Sequence, residues 1–367
     1  MGRILYKKDI EEILWGATFL GAGGGGSLKF GIDMLGQLVS DGVNIQLELI
    51  SIDELEKNDY SAMVAGLGSP VKFLGGSFGP DAVYAFKAFQ KAFDAEGKQV
   101  KYIYSGEMGG LNTFVPMLVS ILSDKDPGKR TKFVDADGNG RAVPELNTSL
   151  NSVRGFPPYP IGLGNGIGDM IIAYPVDDKS AEVIARQLCM AYDMKIGFST
   201  WGMSRDELRD NAAVGCVSYA QDIGKAILAA KESGNDAYEE LKKVMTIRKL
   251  CTGVIEKIEI KAEGGFDYGI TTIKADDGKM FYIDVKNENL IVRDEEGHTI
   301  ITAPELICML DTDDYTPLTN ADTKNGMRIF VGLSPAHPFW WTKDKKAYTC
   351  WTHLLNSVGY SGEFVRY

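Results

Sequence analysis

"VKYIYSGEMGGLNTF", Val100–Phe114, reads as three pieces in succession. Val100–Tyr104 is rich in β-branched and aromatic residues, the composition of a strand. Ser105–Gly110 is a glycine loop carrying one acid, Glu107, and a helix follows from about Asn112. Strand, loop and helix in that order form the half-unit of a parallel sheet, because a crossover helix carries the chain back to begin the next strand. Working outward, the unit recurs. Ser61–Ala65 reads as a strand followed by the loop GLGSP and a helix over about Asp81–Ala95. Lys132–Val134 is a third short strand, followed by DADGNGR, and Ile45–Ile50 alternates like a half-buried strand. In open sheets of this kind, ligands bind outside the carboxyl ends of the strands. Gly66–Ser69, Gly106–Asn112 and Asp135–Arg141 would all leave from that edge, and three polar loops together make a candidate site.

Upstream, "FLGAGGGGSLKF" (19–30) holds four consecutive glycines, Gly23 to Gly26. Gly21, Gly23 and Gly26 spell GxGxxG, but a dinucleotide loop needs a strand before it. Here Asp9 with Glu12 forms a capping-box signature, and Ile10, Ile13, Leu14 and Ala17 fall at helical spacing. Ser27 can cap a second helix, with Leu28, Ile32, Leu35 and Val39 as its stripe. The order is helix–loop–helix, so the nucleotide reading fails; the Lys-Ser/Thr ending of a phosphate-binding loop is absent too. Two readings stay open. The amides of Gly23, Gly24, Gly25 and Gly26, with Ser27, hold an anion such as a carboxylate at a helix start. Alternatively, the glycines supply positive φ and close packing. Four in a row carry much chain entropy for a turn alone, which weighs toward the cradle.

Asp135, Asp137, Asn139 and Gly140 match the start of a calcium loop. The bidentate Glu expected at 146 is replaced by Leu146, and Glu145 stands one residue early behind Pro144. A turn with local Asp and Asn hydrogen bonds is one reading; carboxylates doing acid–base work or holding a cation is the other. Cys350 and His353 have C-x-x-H spacing without a second pair, so no zinc site is assigned. No GxSxG elbow or HExxH motif occurs. Cys216 and Cys251 read as buried structural thiols, and His337–Trp341 (HPFWW) as packing.

The Gly- and Pro-rich stretch GFPPYPIGLGNGIGD, ending at Asp169, reads as a boundary or a pair of close turns. We expect an N-terminal α/β domain with a mostly parallel sheet over residues 1–168. A C-terminal α+β domain over 169–367 would be helical at 178–248 and β-rich, sandwich-like, at 252–335, with a tail beyond. Helical patterns cover about Ser180–Met194, Asp206–Asn211, Val217–Lys231 and Ala237–Ile247. The 367 residues are 44% hydrophobic and 24% charged, with a net charge of −11. That acidity argues against nucleic acid or anionic membrane as a partner. Charges at Arg3, Lys7 and Lys8 rule out a signal peptide at this N-terminus, and the five scattered cysteines fit reduced thiols, so a cytoplasmic location is expected.

Taken in order, LGAGGGGS, SGEMGGLNTFVP, FVDADGNGRAVPEL, GGFDYG, VKNENLIV, PELICMLD and NGMRIFVGL resemble the S-methyl thiohydantoin desulfurase-like family of bacteria and archaea, often encoded beside hydantoin-utilisation genes. The resemblance runs from about Asp9 to the end. It implies an α/β domain and a β-containing domain meeting near Gly162–Asp169. It also implies hydrolytic replacement of a methylthio group on a hydantoin-type ring, giving a hydantoin and methanethiol. The chain departs from the family where Gly68-Ser-Pro70 leads into VKFLGGSFG, and around Thr349–Ser357.

Water attacking an sp² ring carbon needs a base and donors for the developing charge. Glu107 is the expected base, and Asp135 or Asp137 the second acid or cation holder. Gly23–Gly26, Ser27, Ser69, Asn112 and Arg141 are the expected substrate contacts. The expected partner is a small-molecule substrate carrying a carboxylate, with a second copy or a hydantoinase-like protein as a further one. A non-catalytic subunit of such a complex, or a ligand-binding sensor, is the alternative function. No cofactor or metal is assigned.

Overall fold

A computed structural model describes residues 2–68, 78–263, 266–341 and 346–367. Ser69, a predicted substrate contact, lies outside them. Among the described residues, nine strands form a first sheet. They are β1 (Arg3–Tyr6), β2 (Gln46–Ile50), β3 (Asp59–Gly68), β4 (Gln99–Ser105), β5 (Lys132–Asp137), β6 (Ile161–Gly164), β7 (Met170–Ala173), β8 (Lys195–Ser204) and β9 (Ala213–Val214). The spatial order is β1-β2-β5-β4-β3-β8-β6-β7, with β9 on β5. Neighbours from β2 to β3 run parallel, and antiparallel strands extend both wings.

The parallel centre is the part read from the repeating unit, with each strand longer by a few residues than its apolar stretch. The α/β expectation therefore stands. The first sheet does not stop at residue 168, however: β7, β8 and β9 belong to it. β8 falls inside the stretch expected to be helical. In its sequence, KIGFSTWGMS, Gly197, Ser199, Gly202 and Ser204 interrupt the apolar residues, so no clean alternation marks it as a strand. Gly197 lets that strand run flush beneath the helix Gly79–Asp94, since a Cβ there would fall on the Asp81 carbonyl.

The first helix is Lys7–Leu20, two residues earlier than its capping signature. Asp9 is its third residue and accepts from the Tyr6 amide at 2.9 Å. Ile10, Ile13, Leu14 and Ala17 are all buried, as their spacing requires. Ser27 caps the second helix, Leu28–Ser40, by accepting from the Lys29 amide at 3.3 Å. Its buried stripe is rotated from the expected one: Met34 and Leu38 go inside, and Val39 is exposed. The helices Gly79–Asp94 and Phe114–Ser123 cross over between the parallel strands. Helix Cys216–Ser233 packs against Lys7–Leu20 backbone to backbone, because a Cβ on Gly16 would overlap the Ala220 carbonyl and one on Gly224 the Glu12 carbonyl. The pattern read as helix to Ile247 is helical only over Ala237–Leu241.

The second sheet is antiparallel throughout, in the order β14-β13-β12-β11-β10-β17-β15-β16. Its strands are β10 (Arg248–Glu263), β11 (Phe266–Ala275), β12 (Met280–Lys286), β13 (Glu288–Asp294), β14 (Thr299–Thr302), β15 (Leu306–Asp311), β16 (Pro317–Leu318) and β17 (Arg328–Ser334). The sheet curls so that β13 approaches β15, and its concave face encloses a core built on Ile255, Ile283, Val292 and Val331. Its other face joins the main core through Leu290, Ile291, Leu306 and Leu310, which pack with the helices of the first layer. The β13 end of this sheet thereby meets the carboxyl ends of β4 and β5.

Candidate active site

The loop after β4 places Glu107 at this junction. Both carboxylate oxygens are held: Oε1 accepts from Asn112 Nδ2 at 2.7 Å and Oε2 from the Val143 amide at 2.9 Å. Asn112 is itself fixed, its Oδ1 accepting from the Gly66 amide at 3.1 Å at the end of β3. The loops after β3 and β4 and the segment beyond β5 thus converge on one carboxyl group. Glu107 is surrounded by protein yet keeps some solvent-accessible surface. Burial pushes its pKa up to about 7 against the pull of its two hydrogen bonds and of Arg141.

The four glycines form a joint between the two sheets. On one side, the Gly25 carbonyl accepts from the Leu111 and Asn112 amides, and the Gly26 carbonyl from the Gly110 amide. On the other, the Ala22 carbonyl accepts from the Asn289 amide at 2.9 Å and the Gly23 carbonyl from the Asn320 amide at 2.8 Å. Gly23, Gly25 and Gly26 have φ of 93°, 71° and 82°. A Cβ on Gly25 would fall on the Met108 carbonyl, and one on Gly24 on the carboxylate of Glu288. Close packing therefore accounts for the run. A carboxylate does sit on it, but it is the chain's own Glu288. Among the described residues, the amides of Gly25 and Gly26 make no backbone hydrogen bond outside helices and strands.

The remaining predicted residues have structural partners. Ser27 Oγ donates to Asp322 Oδ1 at 2.7 Å. Asp135 caps helix Cys216–Ser233: Oδ1 accepts from the Val217 and Ser218 amides at 2.9 and 3.0 Å, and Oδ2 from Ser218 Oγ. Replacing Asp135 by Ala should lower stability by about 2 kcal/mol with little change in any activity, checked by chemical denaturation. Asp137 closes the local turn, Oδ1 accepting from the Asn139 and Gly140 amides at 2.8 and 2.6 Å. Gly140 has a φ of 71°, so the calcium-loop match is a turn. Arg141 is fully buried. Nη1 donates to the Pro304 and Glu305 carbonyls, Nη2 to the Asn289 carbonyl and Nε to the Ala142 carbonyl, while the guanidinium lies 4.9 Å from the Trp351 ring centre. It ties the β5 loop to the second sheet.

Asp137 carries its own electrostatic signature. It is fully buried, Oδ2 has no hydrogen-bond partner among the described residues, and burial together with the Glu107 charge raises its pKa to about 7. Glu288 is shifted upward too, by burial first and then by Glu107. Between the ordinary carboxylate values and about 7, the native state therefore binds protons that the unfolded chain has released. The stability these groups contribute is full at the acid end of that window and lost as pH rises through it. Melting temperature should fall between pH ~5.5 and ~8 by several degrees more than in Asp137→Asn, whose amide cannot ionise.

Glu288, Asn289 and Asn320 were not found from sequence. Lys286–Asn289 (KNEN) reads as a polar turn between two apolar strands, and Asn287 is indeed a turn residue with a φ of 56°. That reading hides Glu288 and Asn289, both buried. Lys286, also buried, pairs with Glu145.

Two family models match the chain: "S-Me-THD-like, N-terminal domain" over residues 8–174 and "S-Me-THD-like, C-terminal domain" over 176–350. The chain belongs to the S-Me-THD-like family. The solved structures include a crystal structure of a protein from Chromobacterium violaceum, a structural-genomics target, which is 22% identical. It covers 99% of each chain with a TM-score of 0.84, so the two share their fold. Curated proteins give no match. Among the described residues of this S-Me-THD-like chain, no helix is long and apolar enough to cross a membrane.

Proposed function

We propose that this chain is a hydrolase acting on a small cyclic amide or amidine of the S-methyl thiohydantoin or hydantoin type. The observation that carries the reading is Glu107: a half-buried carboxyl group in the loop after β4, gripped by Asn112 and Val143, with its pKa pushed up to about 7. Family membership supports the ring class.

Glu107 takes one proton from water as its oxygen bonds to the ring carbon that bears sulfur, and the C=N electrons move to the ring nitrogen. The C–S bond then breaks, with Glu107 returning its proton to the departing methanethiolate. The second water proton ends on the ring nitrogen, leaving a hydantoin and methanethiol. The Gly25 and Gly26 amides, which have no backbone partner among the described residues, are the donors assigned to the charge that develops. The test is methanethiol release from S-methyl thiohydantoins by the purified chain, together with ring binding measured by calorimetry. Release above the no-enzyme rate supports the reading. No release and no binding with every ring tried overturns it.

A further inference from the structure

Three oxygens beside the glycine joint have no hydrogen-bond partner among the described residues: Glu288 Oε2, Asn289 Oδ1 and Asn320 Oδ1. Glu288 and Asn289 are more than nine-tenths buried. All three side chains crowd the same backbone. The amide nitrogens of Asn320 and Asn289 lie 2.7 and 2.9 Å from where a Cβ on Gly23 would stand, and the Glu288 carboxylate covers Gly24. The orientation of both amides is set by what their nitrogens do. Asn289 Nδ2 donates to the Ile307 carbonyl and Asn320 Nδ2 to the Asn287 carbonyl, each at 2.8 Å, so in each case the oxygen is the free end.

All of these unanswered atoms are oxygens, as is Asp137 Oδ2: the two Asn carbonyl oxygens can only accept, and Glu288 Oε2, whose carboxyl pKa is raised by burial, accepts in its ionised form. The nearby cations are engaged: Arg141 on four carbonyls, Lys286 on Glu145. An unanswered buried acceptor is unfavourable until a donor reaches it. The chemistry lacking here is N–H, and a carboxylate would meet repulsion.

We propose that Glu288, Asn289 and Asn320 form the specificity edge of the site and accept hydrogen bonds from the ring N–H groups of a planar cyclic amide. This rests on the hydrolase reading and sharpens it: the ligand is recognised through its ring nitrogens, and any carboxylate it bears points away from the glycine joint. The arrangement also places the C-terminal sheet in the site, because the N-terminal sheet supplies the base while β13 and the loop after β16 supply the recognition.

Calorimetry with the full chain, comparing hydantoin with 1,3-dimethylhydantoin, tests this without altering the protein. Loss of N–H donors to buried acceptors should weaken binding ~10- to 100-fold. Glu288→Gln keeps the shape but replaces one carboxyl oxygen with an N–H donor, and should narrow that ratio at least ~3-fold while the melting profile stays cooperative. Equal binding of the two rings, with thiol release still dependent on Glu107, overturns the recognition edge and leaves the hydrolase reading intact. Absence of both ring binding and thiol release overturns both. A rise in melting temperature with calcium chloride or potassium chloride that Glu288→Gln abolishes, with ring binding indifferent to N-methylation, makes these oxygens a cation site and overturns the edge.

Discussion

Replacing Glu107 by Gln should lower kcat/KM for S-methyl thiohydantoin hydrolysis ~10²- to 10⁴-fold, the range associated with removing a general base. The substitution keeps the volume and one acceptor. Its amide nitrogen must then face a donor, either Asn112 Nδ2 or the Val143 amide, because the native carboxylate accepts from both. That mismatch costs about 1 kcal/mol, while removing a buried ionisable group works in the opposite direction. The variant should therefore melt close to the native temperature. A second readout ties the loss to proton transfer. In the native chain kcat/KM should rise with pH through about 7, as the Glu107 carboxyl ionises. The residual rate of Glu107→Gln should lack that limb. Unchanged kinetics, or the same limb surviving in the variant, would remove Glu107 from the chemistry.

Gly25→Ala is expected to do more harm to the fold than any substitution of a predicted catalytic acid. The new methyl group would occupy the position of the Met108 carbonyl, on a backbone with φ of 71°. Neither obstacle can yield cheaply. Met108 belongs to the loop that carries Glu107, and the Gly25 carbonyl already receives two amides from that loop. We expect destabilisation of at least ~3 kcal/mol and disrupted activity together, seen as a fall in melting temperature of several degrees or insoluble expression. Gly42→Ala is the control. Its φ is 72°, but nothing lies within 4 Å of its Cβ position, so only the ~1 kcal/mol of left-handed strain applies. Similar losses in the two variants would mean that conformation, and not the close approach of two loops, is what the glycine run serves.

The legible part of this protein is the part encoded locally. The parallel centre showed itself because strand, loop and helix alternate from Ser61 to Arg141, and each is short enough for periodicity to betray it. The place of Glu107 in the fold was legible the same way: an acid in a glycine loop between a strand and a helix occupies a place defined by sequence order. Ser27 as a helix cap was likewise visible, since its hydrogen bond reaches only two residues along. Lys195–Ser204 was missed because its strand character comes from pairing with β3, whose partner residues lie far away in the chain. Nothing in KIGFSTWGMS, where glycines and serines interrupt Ile196, Phe198 and Trp201, announces that pairing.

The acids show where local reading ends. Asp135, Asp137 and Arg141 sit in one short loop and looked equivalent as site candidates. Asp135 is committed to a helix that begins at Cys216, and Arg141 to carbonyls at 289, 304 and 305. Only Asp137 is left buried with a free oxygen. Glu288, from a hairpin in the other sheet, takes the seat on the glycines that a ligand carboxylate was expected to fill. By itself the sequence determined the alternation of elements, the helix–loop–helix order that excludes a nucleotide loop, and the position of one acid. The tertiary structure decided which polar groups are answered and which are not, because burial and hydrogen-bond partners are set by segments more than a hundred residues apart.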